Sequence, residues 1–172
     1  MMHFIFDATF EGLLTAIFDR YYLREGSIRL FHEKTYQPEI SCTSHRVVSD
    51  TQKAGRVWDG LKKKLSPRAR NTFFCAYLSE DIMVHRECLA YACYIFDNPP
   101  GAEHNLAHPS VLSLLQAEKK VSRERHRMKA FVRFSKTADN IYYAPIEPDF
   151  NVLPLVAAFF RERFADQQWL IY

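Results

Sequence analysis

The sequence predicts an α+β fold, a helical array packed with a small, mainly antiparallel sheet, in a single domain over residues 1–172. Three observations carry that expectation. Apolar residues recur at intervals of three and four along most of the middle of the chain, the period of a helix with one buried face. Short β-prone runs lie near both ends, and one pair is separated by a four-residue, turn-like segment. The length of 172 residues, with 48% hydrophobic, 25% charged and only 5 Gly, suits one sizeable core and excludes a disordered or fibrous chain.

The alternating run His3–Phe6 reads as a first strand. Asp7 and Thr9 then offer capping oxygens to a helix with Glu11 near its positive end. That helix buries Phe10, Leu13, Leu14, Ile17, Phe18 and Tyr21 and ends at Gly26. "SIRLF" reads as a second strand, and a third is expected around Arg46–Ser49. Asp50 or Thr51 caps the next helix, whose stripe is Ala54, Val57, Trp58, Leu61 and Leu65. Ser66-Pro67 is a restart signal, with serine as cap and proline at the first helical position. The helix that begins at Ser79–Asp81 and runs to about Phe96 is apolar nearly all round, which places it at the centre. After the loop "DNPPGAEHNLAHPS" a long helix starts near His108–Ser110. "KAFVRFSK" and "IYYAPIE", joined by "TADN", form the expected hairpin, with Arg133 inside its first strand. A last helix carries Leu153, Val156, Phe160 and Phe164, and "QQWLIY" closes as a strand. The chain stops inside that apolar strand, an ending that fits a longer natural protein.

Composition narrows the setting. No charged leader precedes a long apolar run, and no run approaches the roughly 20 apolar residues of a membrane span. A cytoplasmic protein with no membrane partner is expected. Cys42, Cys75, Cys88 and Cys93 are too few for a disulfide framework and read mostly as reduced core thiols.

The sequence has no glycine-rich phosphate loop, GxSxG elbow, HExxH or CxxC. His85, Cys88 and Cys93, with His104 and His108, are zinc-type residues. On one helix, however, positions 88 and 93 fall about 140° apart, which suits packing better than chelation. Neither a metal nor any other cofactor is expected.

The net charge of +3 is unevenly spread. Between Lys119 and Lys136 eight basic residues face Glu124 alone, so that segment is +7 and the remainder −4. A helical wheel sets Leu114, Ala117, Val121 and Met128 on the buried side, with Lys119, Lys120, Arg123, His126 and Arg127 opposite. Such an arc is either an ordinary solvated face or a ridge for phosphates. Glu118, Ser122, Arg125 and Lys129 lie beside the core, where a charge must pair or line a cleft. A Glu118–Arg125 pair is one expectation and a polar pocket wall the other. Asp7 with Glu11, and Glu147 with Asp149, flank helix starts. They read as caps, or as an acid/base or gripping site should they meet Lys129 or Arg133 in space. Lys62–Arg70 is a second basic cluster.

Three stretches, "FIFDATFEGLLTAIFDRY", "GLKKKLSPRARNTFFCAYLSE" and "HRMKAFVRFSKTADNIYYAPIEPDFNVLPLVAAFFRERFADQQWLIY", together resemble a bacterial DNA-metabolism family, a domain of unknown function. The family-like positions are Asp7, Phe10, Glu11, Gly12, His126, Lys129, Phe131, Arg133, Phe134, Glu147, Pro148, Asp149, Arg163, Phe164 and Trp169. Phe150 stands where the family often has histidine, and the family tends to run on past Tyr172. The resemblance implies a DNA-repair context and a protein partner, a radical-SAM enzyme or a uracil-DNA glycosylase-like domain, but no reaction.

Three functions are therefore weighed. The leading one is an accessory module of DNA metabolism that grips DNA or another nucleic acid through Lys119, Lys120, Arg123, Arg127, Lys129 and Arg133. The second is a module that docks a protein partner. The third is an enzyme using Glu11, Glu147 or Asp149 with Lys129 and Arg133, and the candidate polar site as a whole comprises Asp7, Glu11, Arg125, His126, Glu147 and Asp149.

Overall fold

A computed structural model describes all residues, Met1–Tyr172. The order is β1 (Met2–Phe6), α1 (Phe10–Tyr22), β2 (Ile28–His32), β3 (Thr43–Arg46), α2 (Thr51–Lys64), α3 (Pro67–Tyr77) and α4 (Ile82–Asp97), then α5 (Pro109–Phe131), β4 (Ser135–Lys136), β5 (Tyr142–Ala144), α6 (Leu153–Arg163) and β6 (Trp169–Ile171). The α+β class holds. No helix is long and apolar enough to cross a membrane.

The strands form two three-stranded sheets, ordered β2-β1-β3 and β4-β5-β6, and they are not mainly antiparallel. β1 pairs parallel with both neighbours, β5 pairs parallel with β6, and only β4 and β5 run antiparallel. The cause is connectivity. A tight turn makes an antiparallel pair, whereas a helix or long connection carries the chain back to the edge where the first strand began and makes the pair parallel. Here α1 separates β1 from β2 and α6 lies between β5 and β6. β3 also lies upstream of its expected place, because its partner β1 sets Met2 opposite Thr43 and Ile5 opposite Arg46.

The helix starts follow their sequence signals. Thr9 caps α1 by accepting from Gly12 N, Asp50 caps α2 through Gln52 N and Lys53 N, and Ser66 caps α3 with Pro67 in its first turn. α4 is central, packed against α1, α2, α3, α5 and β2, with His85, Cys88 and Ala92 fully buried. The main core joins the first sheet to α1–α5 through Phe4, Phe6, Leu13, Ile17, Leu61, Phe73 and Leu114. A smaller cluster, Cys75, Leu78, Val121 and Val152, holds the 150–155 segment against α3 and α5, with Phe150 packed on it. Tyr77 packs against both.

Candidate nucleic-acid interface

α5 presents its charge as the wheel anticipates, with an exception. Lys119, Lys120, Arg123 and His126 are exposed. Arg127 is not free, because its Nη2 donates to Glu124 Oε1 at 2.7 Å and to Asp149 Oδ2 at 3.0 Å. Glu124 is only 5% exposed, and its Oε1 also accepts from Asp149 N at 3.2 Å. This triad fixes the 147–150 turn to α5 and holds the Arg127 guanidinium charged, above its ordinary range, chiefly through the hydrogen bond to Glu124. The expected Glu118–Arg125 pair is not formed. Glu118 accepts from Ser122 Oγ at 2.9 Å instead, and Arg125 is half-buried.

Two pockets open where α5 ends. The first, about 490 Å³, is lined by Lys129, Arg133 and Arg163 together with Phe134, Tyr142, Phe160 and Phe164, and no carboxylate joins them. Lys129 Nζ sits 4.8 Å from the centre of the Phe159 ring, a cation–π contact that leaves its charge unneutralised. The second, about 430 Å³, brings Arg133 and Glu147 to one wall. Arg133 is outside any strand, contrary to expectation, because the helix runs to Phe131 and β4 starts only at Ser135. Its guanidinium reaches back to Ala130 O at 3.1 Å.

Asp7 and Glu11 line neither pocket. They sit at the carboxyl edge of the parallel sheet, where β1 and β3 feed α1 and α2. Asp7 Oδ1 accepts from Thr9 N and Thr9 Oγ1 at 2.9 and 2.7 Å, and Oδ2 accepts from Ser49 Oγ at 2.8 Å. Desolvation pulls the Asp7 carboxyl upward, but these bonds outweigh it and leave it below its usual range. Asp7 is therefore an ionised strut rather than a proton donor. Glu11 accepts from Thr51 Oγ1 at 2.7 Å, tying α1 to α2. Ala8 between them takes φ 64°, and its carbonyl accepts from Tyr77 Oη at 3.1 Å. Glu11, Glu147 and Asp149 thus stand in separate settings, so the acid/base constellation is not assembled.

Two cations of the second basic cluster, Lys62 and Lys64, are structural. Lys64 Nζ donates to the carbonyls of Ile95, Phe96 and Asn98 at 2.9, 2.7 and 2.7 Å, closing the C-terminus of α4, and Lys62 pairs with Asp59 at 3.1 Å. The zinc-type residues disperse. His85 bonds His32 and Tyr77 O, His108 stacks on Tyr94, and burial pushes the thiols of Cys75, Cys88 and Cys93 up, away from reactivity.

Sequence reasoning missed Arg163 as a pocket wall, Glu124 as the buried anchor, and Ser49 and Thr51 as partners of the first carboxylates. Glu124 carried a signal, as the lone acid in a basic run one turn from Arg127. Arg163 was marked only as a family-like position, and nothing in its spacing made it a pocket wall, because that wall forms only where the end of α6 meets the end of α5.

A family model described as a domain of unknown function, DUF4130, matches residues 83–172, from the first turn of α4 through both pockets to the last strand. No curated protein and no solved structure matches the chain.

Proposed function

The chain belongs to the DUF4130 family, and from that premise we propose that it is an accessory protein of DNA metabolism that binds nucleic acid along α5 and in the pocket at its end. The observation that carries this reading is the pocket of Lys129, Arg133 and Arg163, three cations gathered with aromatic rings and no acid. Like charges are brought together at a surface most usefully where an anion completes them. Lys119, Lys120 and Arg123 add an exposed positive arc on the same helix, whose counterions are released when phosphates replace them. Half-buried Phe134, Tyr142 and Phe164 supply rings for unpaired bases. The DNA context rests on the sequence resemblance described above.

Fluorescence anisotropy with single- and double-stranded oligonucleotides at two salt concentrations tests the proposal. Affinity is expected to fall steeply with salt, and Arg123→Glu and Arg163→Glu are each expected to weaken binding severalfold. Indifference to salt and to both charge reversals refutes it.

A second reading, docking of a radical-SAM or glycosylase-like protein, is favoured by the free edge of β6. That strand pairs only with β5, and Leu170 and Tyr172 are 54% and 66% exposed. Co-purification lost on Leu170→Lys supports it, and a partner retained by that variant opposes it.

A further inference from the structure

We infer that His3, Glu39 and Cys42 form a binding site for a divalent transition metal, best suited to zinc, at the amino edge of the parallel sheet. A ring nitrogen of His3, a carboxylate oxygen of Glu39 and the Cys42 sulfur lie within 4.8 Å of one another. Two local facts assemble them. Cys42 N donates to Glu39 O at 3.2 Å, a turn that sets the two side chains together. The parallel register then places Met2 opposite Thr43 and His3 opposite Ser44, so Cys42 enters the sheet beside His3.

The histidine is the independent sign of a ligand. His3 is fully buried, its Nε2 has no hydrogen-bond partner, and its Nδ1 finds only the Tyr36 hydroxyl, at 3.4 Å. A buried imidazole with so little to bond is costly, and such an atom calls for an unseen partner. Glu39 is exposed and Cys42 partly so, which leaves an entry path. Nitrogen, oxygen and sulfur donors together suit zinc, whose tetrahedral bonds of about 2.0–2.3 Å set donors roughly 3.3–3.8 Å apart. Cys42 Sγ and Glu39 Oε2 already lie 3.5 Å apart. The two sides to His3 are each at most 4.8 Å, so closing them needs a contraction of no more than about 1.5 Å on that scale, within reach of the 33–42 connection, whose only regular element is a single 3-10 turn at Glu33–Thr35. Three protein donors leave the fourth position to water. Metal would pin this connection to β1, far in sequence from the nucleic-acid surface proposed above.

Cobalt(II) is the direct probe, because a thiolate–cobalt charge-transfer band reports the sulfur ligand. The other three cysteines are buried in helices, so the band must come from Cys42. One equivalent of cobalt should produce the band, zinc should displace it, and zinc should raise Tm. Cys42→Ser should abolish the band, and Glu39→Gln should weaken zinc binding more than about tenfold. Both variants lie in the connection rather than the core, so their metal-free Tm should match the parent. Absence of the band at one equivalent, its persistence in Cys42→Ser, or an equal zinc effect on parent and variants overturns the site.

Discussion

Arg127 and Glu124, one turn apart on α5, form a 2.7 Å ion pair whose acid is buried and whose base is half-exposed. The pair divides the basic stretch into residues that hold the protein together and residues free to meet a ligand. Removing one member of such a pair strands the other, and the stranded acid is the costly one.

Arg127→Ala should therefore lower Tm, whereas Arg123→Ala, an exposed change with no partner to lose, should leave stability within about 0.5 kcal/mol. Thermal unfolding of both variants, set beside their oligonucleotide affinities, separates the roles. Arg123→Ala should weaken binding without a change in Tm. Equal Tm values for the two would contradict the triad.

Two glycine substitutions should have opposite signs. Alanine ordinarily stabilises a helix interior by ~0.5–1 kcal/mol over glycine, and Gly55 in α2 has open space around its missing side chain. At Gly12 a Cβ would strike Asp7 Oδ1, with Ser49 Oγ at 2.9 Å and Thr9 Oγ1 at 3.1 Å. The carboxylate cannot swing away without losing its three hydrogen bonds. Gly12→Ala should cost about 1–3 kcal/mol as an overpacked site, while Gly55→Ala should gain. Urea denaturation reads both.

Stability should decline on mild acidification. His32 Nε2 lies 2.8 Å from His85 Nδ1, and His85 Nε2 lies 2.8 Å from Tyr77 O. Since a carbonyl only accepts, His85 carries its proton on Nε2 and accepts from His32 on Nδ1. Protonating His85 breaks that bond. Burial, joined at His32 by His85 and Arg86, lowers both histidines below their usual value, although Asp81 and Glu80 pull the other way. The neutral forms belong to the folded state, so their contribution is whole above the unfolded pKa of about 6.5 and is lost as pH falls below it. Tm measured from pH 7.5 to 5 should fall, and His85→Gln should flatten the slope. An unchanged slope would show that the pair does not titrate as described.

Tyr77→Phe removes the hydroxyl that donates to Ala8 O while keeping the ring stacked on His85. A cost of about 1 kcal/mol is expected for the unpaired carbonyl. Hydrogen exchange should quicken at Thr9 and Gly12, the amides that depend on the bend at Ala8. No change there would mean the bend is held by Asp7 alone.

Local signals were the legible part of this fold. Ser66-Pro67 and Asp50 started helices where their chemistry requires, and the apolar wrap of α4 put it at the centre. Pairing was not legible, because whether a β-prone run lies parallel or antiparallel depends on what separates it from its neighbour. The candidate site divides in the same way. Exposure of Lys119, Lys120 and Arg123 follows from the helical period alone. The capture of Arg127 needed Asp149, 22 residues on, and the pocket needed Arg163, brought there by α6.

From exposed Lys119 to half-buried Lys129 beside the pocket, α5 runs ten helical steps, or about 15 Å. Successive phosphates on one strand of duplex DNA are about 3.4 Å apart along the axis, so this length of helix matches four or five of them. A contact that short is less than half a duplex turn. One molecule would occupy a brief stretch on one side of its ligand, and occupancy of a longer tract would rise in steps of that size.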